Sequence, residues 1–261
     1  MLTDIVSMPA PILHPQIDCA DDHRFGYHAS DVNGVSDVPT TAVEVPMVLH
    51  TSDDERLEAL AKLPSRAARV AILCHPHPLH AGTMHSSVIA TCARELNKAF
   101  ADNIATLRFN YRGVGESTGV YADGKGETLD VISAVDAMLS IYPNAAVDLI
   151  GYSFGSWVCL KAAWMHPRVE RLCLVAPAPR ILPYEERPDE CRRPLITQVV
   201  VGDCDDFVTV SEARCLSRYL GATMQLIEGS DHFFHGYLAS VAASVVKFVR
   251  ARWTSESTAN A

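Results

Sequence analysis

Three loops of the chain carry residue types that together could perform nucleophilic catalysis. The first is 151–155, Gly-Tyr-Ser-Phe-Gly, in which a serine stands between two glycines. This GxSxG pattern is typical of a sharp strand-to-helix turn that exposes the Ser153 hydroxyl and directs the next backbone N–H groups at a developing oxyanion. The alternative is a glycine-rich turn whose serine only caps a helix. A hydroxyl becomes a useful nucleophile when a base takes its proton and a carboxylate orients that base.

Candidates for the acid and the base lie in two later loops. Three aspartates, Asp203, Asp205 and Asp206, follow the apolar run 199–201. Two histidines, His232 and His235, follow the last strand-like segment. The order Ser, Asp, His along the chain is one of those in which catalytic triads occur. The residue types alone leave the choice of acid and of base open.

The segments between these loops must bring them together. Strand-like and helical patterns alternate along the chain, which predicts right-handed crossovers and a mostly parallel sheet. The predicted strands are 42–50, 56–61, 69–74, 105–109, 146–150, 171–175, 196–201 and 223–227, and the predicted helices are 88–100, 128–141, 153–165, 210–220 and 237–253. The first two strands read as an antiparallel hairpin around the turn signal 52–54. Because parallel sheets bind ligands beyond the carboxyl ends of their strands, all three loops are expected at one edge.

Four stretches together resemble the α/β-hydrolase superfamily, and within it the small branch without a cap domain, similar to dienelactone-hydrolase-like and prolyl-oligopeptidase-like serine hydrolases. They are 75–84 (HPHPLHAGTM), 108–115 (RFNYRGVG), 151–155 (GYSFG) and 229–236 (GSDHFFHG). The resemblance covers about residues 42–250. It implies an α/β-hydrolase fold with a mostly parallel eight-stranded sheet, an N-terminal antiparallel hairpin, helices on both faces and no cap domain.

The resemblance also implies roles for individual residues. Ser153 is the expected nucleophile of a nucleophile elbow. Asp205 stands three residues after the glycine that ends its strand, which is the usual position of the acid, and His232 precedes the Phe pair as the base does in the family. The backbone N–H groups of Phe154 and His77 are the expected oxyanion hole. The resemblance thus implies a Ser-Asp-His catalytic triad.

Two other motifs suggest chemistry that we do not expect. Four histidines, His75, His77, His80 and His85, invite a zinc site because imidazole suits zinc, but further ligands are not obvious nearby. We expect their rings to pack around the oxyanion loop without a metal.

The branch usually has two glycines where this chain has Ala81-Gly82. This departure is expected to narrow the oxyanion loop.

The stretch 113–119 (GVGESTG) faintly resembles a dinucleotide-binding loop. No helix is predicted to begin at its last glycine, which the phosphate-binding fingerprint requires. We therefore expect a structural turn there, braced by Arg108 and Arg112, and no cofactor.

The predicted function is a serine hydrolase that cleaves a carboxylic ester, thioester or amide through an acyl-enzyme. Only about 20 residues separate the strand ending at 175 from the strand starting at 196, so the site is expected to be open to a small acyl substrate or a short peptide. One alternative is a serine peptidase of the same fold. Another is a binding or scaffold protein that keeps the fold without catalysis.

Composition and charge exclude other classes of protein. The chain has 261 residues, of which 48% are hydrophobic and 20% are charged. These fractions are close to those of ordinary globular proteins. It has no apolar run of the ~18 residues that a membrane span needs. The net charge of −9 disfavours nucleic-acid binding.

Residues 1–40 are expected to form an acidic extension, 41–253 the hydrolase domain and 254–261 a polar tail. Eight cysteines without CxxC spacing and a start without an export signal favour reduced thiols and a cytoplasmic protein. Oligomeric state stays open.

Overall fold

The strands form one twisted sheet in a computed structural model, which describes residues 27–28, 43–182, 184 and 195–251. The strands of this part are β1 Tyr27–His28, β2 Val45–His50, β3 Arg56–Lys62, β4 Arg69–Cys74, β5 Ile104–Phe109, β6 Ala146–Tyr152, β7 Val169–Val175, β8 Ile196–Gly202 and β9 Thr223–Ile227. The helices are α1 Ser87–Phe100, α2 Lys125–Ile141, α3 Phe154–Met165, α4 Val210–Leu220 and α5 Leu238–Arg250. Two short 3-10 turns cover Pro78–His80 and Ala101–Asn103.

The strand order is β1-β2-β3-β5-β4-β6-β7-β8-β9. Strand β3 runs antiparallel to both β2 and β5, and the other pairings are parallel. This confirms the predicted eight-stranded, mostly parallel sheet with an N-terminal hairpin. The two-residue strand β1 adds a ninth strand beside Met47 and Val48. It belongs to the stretch 1–40, whose other residues lie outside the described part of the chain.

Helices cover both faces of the sheet. Helices α1 and α5 pack their buried apolar side chains against one face, and α2, α3 and α4 pack against the other. Strands β4 and β5, between these two layers, are buried along their whole length. The continuous apolar run of β4 from residue 70 to 74 is typical of a strand covered on both faces, as in parallel sheets. Among the described residues, no helix is long and apolar enough to cross a membrane.

Helix α2 begins one turn earlier than the predicted residue 128. The carboxylate of Glu127 accepts hydrogen bonds from the N–H groups of Gly124 (2.7 Å) and Ala122 (2.8 Å). These bonds stabilise the first turn, because N–H groups at a helix start have no partner within the helix. The predicted end of α5 at 253 and the predicted tail 254–261 lie outside the described residues.

A buried ionic cluster near the amino ends of β4, β6 and β7 ties the sheet to the last helix. Arg69 donates two 2.7 Å hydrogen bonds to the carboxylate of Asp148, and Arg171 lies 3.6 Å from the same carboxylate. Arg171 also donates to the carbonyl groups of Phe248 and Val249 at the end of α5. Strands β4, β6 and β7 and helix α5 are thereby fixed to one another, and α5 follows the loop that carries His232.

The six described cysteines are free thiols. Cys74, Cys92, Cys159 and Cys173 are buried in the core, while Cys204 and Cys215 are exposed. Burial raises the pKa of the Cys92 thiol to about 12, so it packs as a small apolar side chain. Cys19 and Cys191 lie outside the described residues.

Candidate active site

Ser153 lies in the sharp turn between β6 and α3. Its backbone has φ 53° and ψ −113°, a conformation that L-residues rarely adopt and that stores strain at functional turns. The N–H of Ser153 donates to the carbonyl of Val175 at 2.8 Å, which ties the turn to β7. A Cβ atom on Gly155 would lie 2.3 Å from the carbonyl oxygen of Cys74, so only glycine lets α3 start this close to the end of β4. The turn has the geometry expected of a nucleophile elbow.

The side chains of Ser153, His232 and Asp205 form one hydrogen-bonded chain. The Nε2 atom of His232 lies 3.1 Å from Oγ of Ser153. Its Nδ1 atom lies 2.8 Å from Oδ2 of Asp205. The carboxylate is fully buried and the imidazole almost so, whereas Ser153 is partly exposed. A serine, a base within hydrogen-bond reach and a carboxylate behind the base are the arrangement that activates a hydroxyl.

The other acid and base candidates point elsewhere. Oδ1 of Asp203 accepts the N–H of Gly229 at 2.6 Å, which joins the acid loop to the base loop. Asp206 is exposed to solvent. His235 is also exposed, and its Nδ1 atom pairs with the carboxylate of Asp231 at 2.6 Å. Of the candidates left open by the residue types, Asp205 and His232 are the two in contact.

Two backbone groups fix the orientation of the Asp205 carboxylate. Its Oδ1 atom accepts the N–H groups of Phe207 at 2.8 Å and Val208 at 3.0 Å. Oδ2 is therefore left to face Nδ1 of His232, which must carry a proton to complete that bond. In the neutral imidazole, Nε2 is then the acceptor that faces Ser153.

Tyr152 is a positioning residue that sequence reasoning missed. Its hydroxyl donates to the backbone carbonyl of His232 at 3.1 Å, and the two rings lie 5.8 Å apart. Burial raises the pKa of the Tyr152 hydroxyl, which keeps the donor protonated. The bond links the turn that carries Ser153 to the loop that carries His232. No sequence signal indicates it, because Tyr152 occupies a variable position of GxSxG.

A second hydrogen bond holds the backbone of Ser153. The hydroxyl of Ser156 donates to the carbonyl of Ser153 at 2.5 Å. Since that bond uses its only proton, the hydroxyl of Tyr184, 2.9 Å away, must be the donor to Ser156. Tyr184 lies between β7 and β8 in the chain, and this contact holds its side chain beside the Ser153 turn.

The loop after β4 lies beside the start of α3. The rings of His77 and Phe154 are 4.8 Å apart between centroids. Neither the N–H of His77 nor that of Phe154 donates to another described residue. Both groups are therefore left for an incoming acceptor, and the N–H of Phe154 stands at a helix N-terminus, where the helix dipole favours negative charge.

Hydrogen bonds hold the carbonyl group and the ring of His77. Its carbonyl accepts the N–H groups of His80 (3.0 Å) and Gly82 (3.1 Å), and its Nδ1 accepts the N–H of Leu79 at 3.2 Å. Nε2 must then carry the ring proton, and it lies 3.4 Å from the hydroxyl of Tyr121. Burial lowers the pKa of His77, with a smaller contribution from His80, which favours this neutral form. Tyr121 is another residue that the sequence did not indicate.

Residues 81 and 82 shape this loop in different ways. A Cβ atom on Gly82 would lie 2.2 Å from the carbonyl oxygen of Pro76, so glycine is required for the loop to close. Ala81 has φ 58° and ψ 21°, the left-handed region that favours glycine. Its side chain is exposed, so its methyl group does not enter the loop, contrary to the expected narrowing. The departure from two glycines costs backbone strain instead.

The first histidine of the loop is engaged in the protein scaffold. Nε2 of His75 accepts the backbone N–H of Tyr111 at 3.1 Å, so Nδ1 carries the proton and donates to the carbonyl of Pro76 at 2.7 Å. Burial lowers the pKa of His75 to about 3. With both ring nitrogens occupied, His75 has no lone pair for a metal. No group of three or more His, Cys, Asp or Glu side chains in the described ranges is placed to hold a metal ion.

The glycine-rich turn 113–119 closes on itself before α2 begins. The expected bracing by Arg112 is wrong, because its guanidinium donates to the carboxylates of Asp130 on α2 (2.7 Å) and Asp53 (2.8 Å) and not to the turn. The expected bracing by Arg108 is wrong. That side chain donates to the carbonyl of Met84 at 2.8 Å and so supports the far end of the loop after β4.

Comparisons with known proteins bear on the family and the fold. Residues 77–196 match the family described as serine aminopeptidase, S33. An uncharacterized protein of Rickettsia prowazekii (strain Madrid E) is 30% identical over 200 residues, which are 73% of this chain and 82% of that protein.

Two solved structures are similar over most of the chain. A Xanthomonas campestris protein described as an α/β serine hydrolase without lid is 27% identical with a TM-score of 0.72, covering 83% of this chain and 96% of that one. An α/β serine hydrolase homologue from Coxiella burnetii is 29% identical with a TM-score of 0.70, covering 81% and 99%. The chain belongs to the α/β-hydrolase superfamily, in the branch of serine hydrolases that lack a lid.

Proposed function

We propose that the chain cleaves a carboxylic ester, thioester or amide through an acyl-enzyme on Ser153. His232 is the general base and then the general acid, and Asp205 holds its tautomer. The backbone N–H groups of His77 and Phe154 stabilise the oxyanion. The observation that carries this proposal is the continuous hydrogen-bonded chain from Ser153 Oγ through His232 to the buried carboxylate of Asp205, with 3.1 Å and 2.8 Å separations.

The reaction runs in two balanced steps. In the first, Ser153 Oγ attacks the carbonyl carbon while its proton moves to Nε2 of His232, and the same proton then passes to the departing oxygen, sulfur or nitrogen atom. In the second, water attacks the acyl-enzyme, gives a proton to His232, and Ser153 departs with that proton. Chain residues supply the nucleophile, the base and the oxyanion donors, so the proposal requires neither a cofactor nor a metal ion.

The test is activity on small p-nitrophenyl esters, paired with labelling by a fluorophosphonate probe. Ser153→Ala is expected to lower turnover by at least about 10⁴-fold, since removing the nucleophile removes the acyl-enzyme route. His232→Ala is expected to slow labelling strongly. Ser244→Ala is the matched control and should keep full activity, because the side chain of this half-buried serine bonds, among the described residues, only to the carbonyl of Ser240 within α5. Unchanged turnover in Ser153→Ala would refute the mechanism.

Peptidase activity is the second candidate, because the matched family is described as a serine aminopeptidase. Amino-acid p-nitroanilides and short peptide amides, assayed beside the esters, separate the two activities. Ser153-dependent release of nitroaniline at a rate comparable to ester cleavage would favour the peptidase. Ser153-dependent turnover of any substrate in this panel would exclude the non-catalytic scaffold.

The location of the protein in the cell, its binding partners and its domain bounds are also proposals. We infer a cytoplasmic enzyme, in keeping with the free thiols in its core. Its partner is a small acyl substrate or a short peptide. We further propose that residues 41–253 form the hydrolase domain, flanked by the acidic extension 1–40 and the tail 254–261.

A further inference from the structure

Exposed apolar side chains are concentrated at the edge of the sheet that carries Ser153. Among the described residues, nine large hydrophobic side chains are exposed: Val43, Leu79, Val120, Met165, Ile181, Ile196, Phe207, Tyr219 and Phe233. Five of them, Leu79, Val120, Ile181, Phe207 and Phe233, follow the carboxyl ends of β4, β5, β7, β8 and β9. Since β6 leads to Ser153 and lies between these strands, the five side chains stand on both sides of it. Apolar side chains left in solvent around a reactive group indicate a binding surface.

Two of these side chains contact the imidazole of the base. The ring of Phe207, 41% exposed, lies 4.6 Å from that of His232, and the ring of Phe233, 52% exposed, lies 5.5 Å from it. The two phenyl rings are 6.1 Å apart and nearly perpendicular. They come from the acid loop and the base loop, so each catalytic loop contributes one aromatic side chain.

The chemistry decides which part of a substrate meets these rings. When the tetrahedral intermediate collapses, the bond between the carbonyl carbon and the leaving oxygen breaks, and His232 Nε2 gives its proton to that oxygen. The leaving oxygen must therefore come within about 3 Å of Nε2, as general acid catalysis requires. The acyl group stays on Ser153. Groups that flank the His232 ring consequently face the leaving group.

We propose that Phe207 and Phe233 form a leaving-group subsite that selects esters of aromatic alcohols. An aromatic leaving group can stack on one ring and meet the edge of the other, the geometries that aromatic pairs prefer. This inference rests on the proposed acyl-enzyme mechanism, and it names the alcohol side of the substrate.

The experiment compares two acetate esters with leaving groups of matched acidity. One is an aryl acetate and the other a fluoroalkyl acetate, so both form the same acetyl-enzyme and differ only in the shape of the alcohol. For Phe207→Ala and Phe233→Ala we expect kcat/KM for the aryl ester to fall about five- to tenfold, the size of a lost aromatic contact. The fluoroalkyl ester should change less than about twofold, and inhibition by the free phenol should weaken in parallel with the loss for the aryl ester.

A purely structural role for the two rings gives a different result. If they only steady His232, both esters lose activity equally and deacylation, measured as the steady rate after the burst, slows as well. If they bind the leaving group, deacylation is unchanged because that group has already left. Met165→Ala, 60% exposed at the end of α3 far from the site, is the control for losing an exposed apolar side chain.

The failures of the two proposals are distinguishable. Equal losses for both esters, slowed deacylation or unchanged aryl selectivity would overturn the subsite and leave the acyl-enzyme mechanism intact. Turnover of both esters that is unchanged in Ser153→Ala would overturn both.

Discussion

Replacing Asp205 by asparagine tests the proposed site most directly, because the structure dictates how the new amide must lie. The substitution keeps the shape of the side chain and changes one oxygen to NH₂. The N–H groups of Phe207 and Val208 both donate to Oδ1, so the amide oxygen must stay there. A flipped amide would leave buried donors facing donors, at a cost of about 1–3 kcal/mol for each unsatisfied group. The NH₂ group therefore faces His232.

The consequence is the wrong tautomer of the base. An NH₂ group 2.8 Å from Nδ1 requires Nδ1 to accept, which places the ring proton on Nε2, opposite Ser153. The imidazole then cannot take the serine proton. We expect kcat to fall by roughly 10³–10⁴, the effect of this change in other triads, or about 4–5.5 kcal/mol of transition-state stabilisation.

The assay is the initial rate of p-nitrophenyl acetate hydrolysis together with the rate of fluorophosphonate labelling, and thermal unfolding verifies the fold. Asp206→Asn is the matched control, since Asp206 is an exposed neighbour of the same type. Asp203→Asn is a second control, because an amide oxygen can still accept the N–H of Gly229. Both controls should stay within about threefold of wild type. A loss below about 30-fold in Asp205→Asn, or an equal loss in Asp206→Asn, would refute the reasoning.

Two further predictions concern the loop after β4. Ala81→Gly should raise the free energy of unfolding by about 0.5–1 kcal/mol, since glycine relieves the left-handed strain at φ 58° but adds freedom to the unfolded chain. A lower free energy of unfolding in Ala81→Gly, measured by chemical denaturation, would contradict the strain argument. His75, with a folded pKa of about 3, should make stability fall as pH falls. Below its ordinary pKa of about 6.5 the unfolded chain takes a proton that the folded chain refuses, which costs about 2 kcal/mol by pH ~5. That slope should flatten in His75→Gln, and an unchanged slope would show that other groups set it.

The fold could be predicted from the sequence because the strands are marked by local patterns, such as an apolar run or a turn motif at the end of the strand. Strand β4 is a continuous apolar run, and the GxSxG pattern marks the end of β6. Loops at strand ends placed the acid and base candidates at one edge without any knowledge of distances. The start of α2 was missed because the carboxylate of Glu127 caps it from inside the helix. Side chains of this kind initiate a helix without a recognisable capping residue before it.

The supporting contacts of the site were not readable, because each joins residues far apart in the chain. Tyr152 meets the carbonyl of His232 eighty residues later, and the hydroxyl of Tyr121 meets the His77 ring 44 residues before it. Tyrosine in either place fits a buried core equally well, so residue type carries no information about its partner. The assignment of Arg108 failed for the same reason, since its partners are the carboxylate of Glu44, 64 residues earlier, and the carbonyl of Met84, 24 residues earlier.

These contacts explain how a site without a lid can be organised before substrate arrives. Backbone donors orient Asp205, Tyr152 holds the loop of His232, and three backbone N–H groups hold His77. Preorganised dipoles need no rearrangement during the reaction, and this preorganisation is the main source of electrostatic catalysis. The exposed side chains of Phe207 and Phe233 have ring contacts with His232 and with each other, but as apolar groups they have no hydrogen bonds to hold them. Phe207 and Phe233 are therefore the part of the site that can change with the substrate, while the hydrogen-bonded part beneath them stays fixed.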